Sequence, residues 1–194
     1  MKKVGLYFGT FNPIHIGHLV IANHMVEFSD LEEIWFVITP QSPFKVKQSL
    51  LGDHHRYQMV QEAVMEYSKL KASTIEFDLP QPNYTIHTLV HLREKFGKDY
   101  GFSLLLGEDN LKSFHKWKNY EEILENHHLY VYPRISGGAI PEKFSKHPKI
   151  HRVEAPIMEI SSTFIRKNHK AGKNVRPLLP EAVWRYMDEM NFYR

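Results

Sequence analysis

Two rhythms of apolar residues trade places along this chain. Short apolar runs, rich in β-branched and aromatic residues, occur at Val4–Phe8, Ile34–Ile38, Ser73–Phe77, Phe102–Leu106, Leu129–Tyr132 and Ile150–Val153. Runs this short predict strands. Between them the spacing changes to three and four. Leu19, Ala22, Met25 and Val26 make one helical stripe; Met59, Val60, Ala63 and Val64 make a second; Ile86, Leu89, Val90 and Phe96 make a third. Asp53 is the candidate N-cap of the second helix. A last helix is expected to start at Pro180 and to carry Val183, Trp184, Met187 and Met190. This alternation predicts an α/β fold, a doubly wound parallel sheet with helices on both faces. In such sheets ligands bind beyond the carboxyl ends of the strands. Gln41–Gly52 and Ser136–Lys149 are polar and loop-like, and are candidates for mobile lids. No internal repeat or low-complexity segment interrupts the pattern.

The segment that follows the first strand carries the clearest chemistry. Gly9-Thr10-Phe11-Asn12-Pro13-Ile14-His15-Ile16-Gly17-His18 joins a buried strand to a turn and then to a helix start. A helix N-terminus offers unpaired N–H groups and a positive dipole end, which suits a phosphate. Gly9 has no Cβ and lets the backbone approach that anion. Thr10 adds a hydroxyl, and Pro13 stiffens the turn. His15 and His18, three apart, can face one ligand, although capping or solvent-exposed histidines fit the same spacing. A zinc site would need a third ligand, which nothing nearby supplies. A second segment, Ile160-Ser161-Ser162-Thr163-Phe164-Ile165-Arg166, reads as a helix capped by Ser161 or Ser162, with Arg166 able to present a planar fork to an oxyanion.

Composition narrows the partners. The 194 residues fit one domain, 1–194, with 42% hydrophobic residues and a net charge of only +3. That charge does not point to nucleic acid and suits small anions at least as well. The chain has no Cys, which excludes a thiol nucleophile and a disulfide. The N-terminal residues lack the apolar region of a signal peptide, and no run is long enough to span a membrane, so the expected location is cytoplasmic.

Taken together, the two segments resemble the GTFxPxHxGH and ISSTxIR motifs of the nucleotidylyltransferase superfamily. Further matches follow in order. Gln41-Ser42-Pro43-Phe44-Lys45 resembles that superfamily's Pro-rich, Lys-containing loop. Asn83-Tyr84-Thr85-Ile86-His87-Thr88-Leu89 is similar to SYTxDTL of the nicotinate mononucleotide adenylyltransferases. Leu105-Leu106-Gly107-Glu108-Asp109-Asn110-Leu111, with Trp117 beyond it, resembles their GxDxL…W segment, and Arg134 their strand-end Arg. The chain is thus identified as resembling the bacterial-type members. Phe8, Asn12, Phe44 and His87 depart from the usual residues, which are Gly, Asp, His and Asp.

The resemblance implies a Rossmann-like sheet and direct attack by the phosphate of nicotinate mononucleotide on the α-phosphorus of ATP. Mg²⁺ would accompany ATP, with no residue assigned as a metal ligand. His15, His18 and Arg166 are the implied catalytic set, with His18 and Thr10 at the transferring phosphate and His15 and Arg166 at the β- and γ-phosphates. Gly9, Phe11, Gly107, Asp109, Ser161, Ser162 and Thr163 complete the ATP site. Lys45, Tyr84, Thr85, Trp117 and Arg134 would hold the acceptor nucleotide, and a donor or protonated His87 would favour an anionic ring substituent. No nucleic-acid or membrane partner is implied, and a homo-oligomer is left open. Three alternatives stand beside this reading: a nicotinamide mononucleotide acceptor, a phosphopantetheine acceptor, or a sensor that binds nucleotide without turnover. A class I aminoacyl-tRNA synthetase also has an HxGH motif, but this chain shows no KMSKS-like loop.

Overall fold

In a computed structural model of the chain, which describes residues 1–43, 50–135 and 140–194, the apolar runs become one six-stranded sheet. The strands are β1 (Lys2–Gly9), β2 (Glu33–Ile38), β3 (Leu70–Ser73), β4 (Tyr100–Gly107), β5 (Leu129–Tyr132) and β6 (Ile150–Arg152). All neighbouring pairs are parallel, in the order β3-β2-β1-β4-β5-β6. The period of two along each strand divides two cores. Val4 and Leu6 of β1, Trp35 and Val37 of β2, and Leu104 and Leu106 of β4 fill one. Tyr7, Ile34, Phe36, Ile38 and Leu105 point into the other. Because both faces are covered, the strands read as continuous apolar runs.

Among the described residues, eight α-helices cover those faces: α1 (Ile16–Phe28), α2 (Asp53–Val64), α3 (Thr85–Phe96), α4 (Glu108–Ser113), α5 (Tyr120–Asn126), α6 (Glu142–Ser145), α7 (Ser162–Lys170) and α8 (Glu181–Glu189). Met25 of α1, Met59 and Val60 of α2, and Val183 and Met187 of α8 pack on one side; Leu89 and Leu92 of α3 and Ile123 of α5 pack on the other. The chain winds outward from β1 through β2 to β3, then crosses back to β4 on the far side of β1. The crevice between the ends of β1 and β4 is therefore the topological switch point, where a ligand is expected.

Three expectations need correction. The third strand is Leu70–Ser73, not Ser73–Phe77. Leu70 is the residue buried against the core, while Phe77 N–H to Thr74 O and Leu79 N–H to Glu76 O close turns over the segment read as strand. Asp53 is not the N-cap of α2. Gly52 holds that position, and Asp53 instead accepts from Arg56 Nη2 at 2.5 Å. The stretch Ser136–Lys149 is not loop throughout, because Phe144 is buried and pulls α6 onto the core.

Candidate active site

The turn after β1 is held from several directions. Its backbone passes through Phe11 in the left-handed region, at φ 44°, and the Phe11 ring folds back over Gly9. A Cβ at Gly9 would lie 2.7 Å from that ring, so the buried aromatic side chain leaves no room for a larger residue here. Arg56 is fully buried on α2. It donates to the carbonyls of Thr10 at 2.6 Å, Thr39 at 3.0 Å and Leu51 at 3.0 Å. From the other side, Arg166 Nη1 donates to Asn12 O at 2.7 Å and Ser162 Oγ to Pro13 O at 2.8 Å. Ser161 caps α7, accepting from Phe164 N–H at 3.1 Å.

The two histidines meet at the start of α1. Their rings stack at 3.7 Å, and Gly17 makes room, since a Cβ there would crowd His15 Nδ1 at 3.1 Å. The backbone N–H of His15 donates to His18 Nδ1 at 3.2 Å. In its neutral form His18 then carries its proton on Nε2, where it is a donor. His15 is only 4% exposed, and burial, with the nearby charge of Arg134, lowers its pKa to about 4. At neutral pH it is an uncharged imidazole.

Two cavities share the floor made by Phe8, Gly9, Thr10, Ser42 and Asn110. The larger, about 810 Å³, gathers Phe11, His15, His18, Asp109, Ser161, Ser162, Thr163 and Arg166. The smaller, about 420 Å³, is lined by Asn83, Tyr84, Thr85, Glu76, Trp117 and two lysines, Lys116 and Lys118. The sequence segments that were read as one site thus converge at the switch point. Gly107 is the N-cap of α4, with the Asp109 carboxylate folded against it and Tyr132 and Arg134 close by. Lys45 lies outside the described residues.

Arg134, which the resemblance assigns to the acceptor nucleotide, follows β5. It lines the larger cavity, where its Nη1 donates to Met158 O at 2.8 Å and its guanidinium lies 5.4 Å from the Tyr132 ring. Position at the end of β5 brings it beside the histidines rather than beside Trp117. His87 is absent from the lining of both cavities. Its exposed ring stands off the cavity, and Lys118 Nζ lies 3.2 Å from Nε2, which must then accept. Among the described residues no three His, Asp or Glu side chains gather as a metal cage.

Sequence reasoning missed Arg56 and Glu76. Arg56 sits in the polar run Asp-His-His-Arg, which looks like a solvated helix start. Glu76, also buried, accepts from Thr88 Oγ1 at 2.6 Å under the start of α3, and burial raises its pKa. Its neighbour Asn83 ties three segments together, donating to Glu76 O at 3.1 Å and exchanging hydrogen bonds with the backbone of Gln41. An alignment-free reading has no signal for either residue, because only the tertiary fold makes them interior.

A switch-point crevice with a helix-start turn on one side and an aromatic pocket on the other is the kind of site that suits a nucleotide. Comparison with known proteins agrees. Residues 6–168 match the cytidylyltransferase-like family. The chain is 65% identical over 193 residues to the "probable nicotinate-nucleotide adenylyltransferase" of Christiangramia forsetii, covering 100% of this chain and 99% of that protein. It is 61% identical to the protein of that name in Flavobacterium psychrophilum, with 99% of each covered. Plasmodium falciparum nicotinic acid mononucleotide adenylyltransferase, solved with NaAD and with APC, has the same fold at a TM-score of 0.81 in both cases. Identity is 23% and 22%, with 100% of this chain and 98% of that chain covered. The chain belongs to the cytidylyltransferase-like family and, within it, to the nicotinate-nucleotide adenylyltransferases. No helix among the described residues is long and apolar enough to cross a membrane.

Proposed function

We propose that the chain transfers the adenylyl group of ATP to nicotinate mononucleotide, giving deamido-NAD and pyrophosphate as a step of NAD biosynthesis. The observation that carries this assignment is the pair of cavities meeting across Gly9 and Thr10. The larger takes ATP. Arg166 and the helix starts of α1 and α7 face its β- and γ-phosphates, with His15 as a neutral partner. His18 and Thr10 stand at the α-phosphate, beside the shared floor. The smaller takes the acceptor, whose pyridine ring lies against Trp117 and whose carboxylate meets the start of α3 at Tyr84 and Thr85.

The acceptor phosphate is already ionised at neutral pH, so its oxygen attacks the α-phosphorus without a strong general base. The bond from the α-phosphorus to the bridging oxygen breaks, and its electrons leave with pyrophosphate. The protein contributes alignment and charge stabilisation. The larger cavity holds two carboxylates, Asp109 and Glu159, and no cage. A donor set of that kind fits Mg²⁺ carried in on phosphate oxygens and water, where its charge neutralises the triphosphate.

A pyrophosphate-release assay with ATP and either nicotinate or nicotinamide mononucleotide tests this reading. The carboxylate is the expected preference. An amide places its NH₂ against the donors of the helix start, a penalty of ~1–3 kcal/mol. Equal or better use of the amide overturns the acceptor assignment, and no turnover with either overturns the function.

A further inference from the structure

The turn after β1 is also gripped by a segment from the far end of the fold. Beyond α8 the backbone passes through Asn191 at φ 54° and Tyr193 at φ 63°, both left-handed. Phe192 N–H donates to Met187 O at 3.0 Å, and the Phe192 ring sits 4.9 Å from that of His55 on α2. His55 Nδ1 in turn lies 2.8 Å from the Tyr186 hydroxyl. This anchorage delivers the Tyr193 hydroxyl to Asn12, where it donates to Oδ1 at 2.5 Å. The same oxygen accepts Leu51 N–H at 3.3 Å. Asn12 is 1% exposed, and its backbone carbonyl is the acceptor for Arg166. One residue thus joins Tyr193, the approach to α2 and the arginine of the triphosphate cavity. Burial, against the pull of Arg166 and Arg56, keeps the Tyr193 hydroxyl protonated and so a donor.

We propose that Tyr193 is a positioning residue for ATP: its hydroxyl fixes Asn12, and Asn12 O fixes the Arg166 guanidinium at the triphosphate cavity. Tyr193 touches no substrate. It matters because Asn12 follows Phe11, whose left-handed backbone persists only where its surroundings hold it. Without the hydroxyl, Oδ1 loses the shorter of these two bonds and keeps the 3.3 Å bond from Leu51. The turn then samples other conformations, and Arg166 loses its fixed acceptor. The departure of Asn12 from the family's Asp is accommodated by this arrangement, since an amide oxygen accepts the same two donors.

This inference rests on the reading that Arg166 faces the phosphates of ATP, and the experiment separates the two. Tyr193→Phe in the full chain removes one oxygen and leaves the ring. Inorganic tripolyphosphate binding, measured by calorimetry, is expected to weaken about tenfold, with a similar rise in KM for ATP. KM for nicotinate mononucleotide should stay within twofold. Asn12→Leu should reproduce the selective loss, and carries the same test if Tyr193→Phe does not fold. Unchanged tripolyphosphate affinity in Tyr193→Phe overturns the inference, as do equal losses toward both substrates. An unaltered protein that binds tripolyphosphate but does not turn over overturns the proposed function alone; one that binds no tripolyphosphate overturns both.

Discussion

Lowering the pH should destabilise this fold through His15, by an amount that its burial sets. The side chain lies under the His18 ring at the start of α1, with burial first and Arg134 second holding its pKa at about 4. In the unfolded chain the same imidazole titrates near 6.5. Between those values the unfolded state binds a proton that the native state refuses, so stability falls as pH falls through the window and levels off below it. At 1.36 kcal/mol per pH unit the full gap amounts to about 3 kcal/mol, reached near pH 4. Urea unfolding at steps from pH 7.5 to 4.5 measures it, with His15→Asn as the comparison. That variant starts from its own stability; what matters is its pH dependence, which should be shallower by about 2 to 3 kcal/mol across the range. His127, also held low chiefly by burial, contributes equally to both proteins and cancels. Parallel profiles would refute the claim that His15 is neutral and desolvated in the native state.

Two further substitutions probe the turn itself. His18→Ala should cut pyrophosphate release by a factor on the order of 100 in a folded protein, the usual cost of losing one preorganised donor to a charged transition state, and near-normal turnover would remove His18 from the catalytic set. Arg56→Met should cost about 3 kcal/mol or more in urea unfolding, because the Thr10, Thr39 and Leu51 carbonyls lose their shared donor, and a loss under about 1 kcal/mol would show that the clamp is dispensable.

Much of this was legible in the chain because the switch-point edge is built from local signals. The run Val4–Phe8, the glycine after it and the histidine pair at the helix start lie within fifteen residues, and Ser161 caps α7 as its sequence suggests. The errors lie where tertiary packing decides. Ser73–Phe77 has strand composition, yet the sheet takes Leu70 and leaves Phe77 over a turn. Arg134 follows β5, and nothing in its local sequence says which cavity it lines; in the fold it lines the larger one, with its Nη1 on the Met158 carbonyl. The partners of Asn12 are also set by packing, which brings Leu51 N–H and the Tyr193 hydroxyl to its Oδ1 from distant segments.

The same contacts fit a neutral turn to the highly charged anion proposed for it. A backbone loop carries as many carbonyl oxygens as N–H groups, and an unspent carbonyl facing a phosphate would repel it. Here the carbonyls are occupied in sequence: Gly9 O by Thr39 N–H, Thr10 O by Arg56, Asn12 O by Arg166, Pro13 O by Ser162 and His15 O by His18 N–H. Facing the cavity beside them are N–H groups of the α1 start and the dipoles of α1 and α7. Three of those five donors come from side chains far along the chain, on α2 and α7. The binding property is therefore not local to the motif that announces it. The turn takes its anion-accepting form only when β1, α2 and α7 have assembled around it, which ties the competence of the site to completion of the fold.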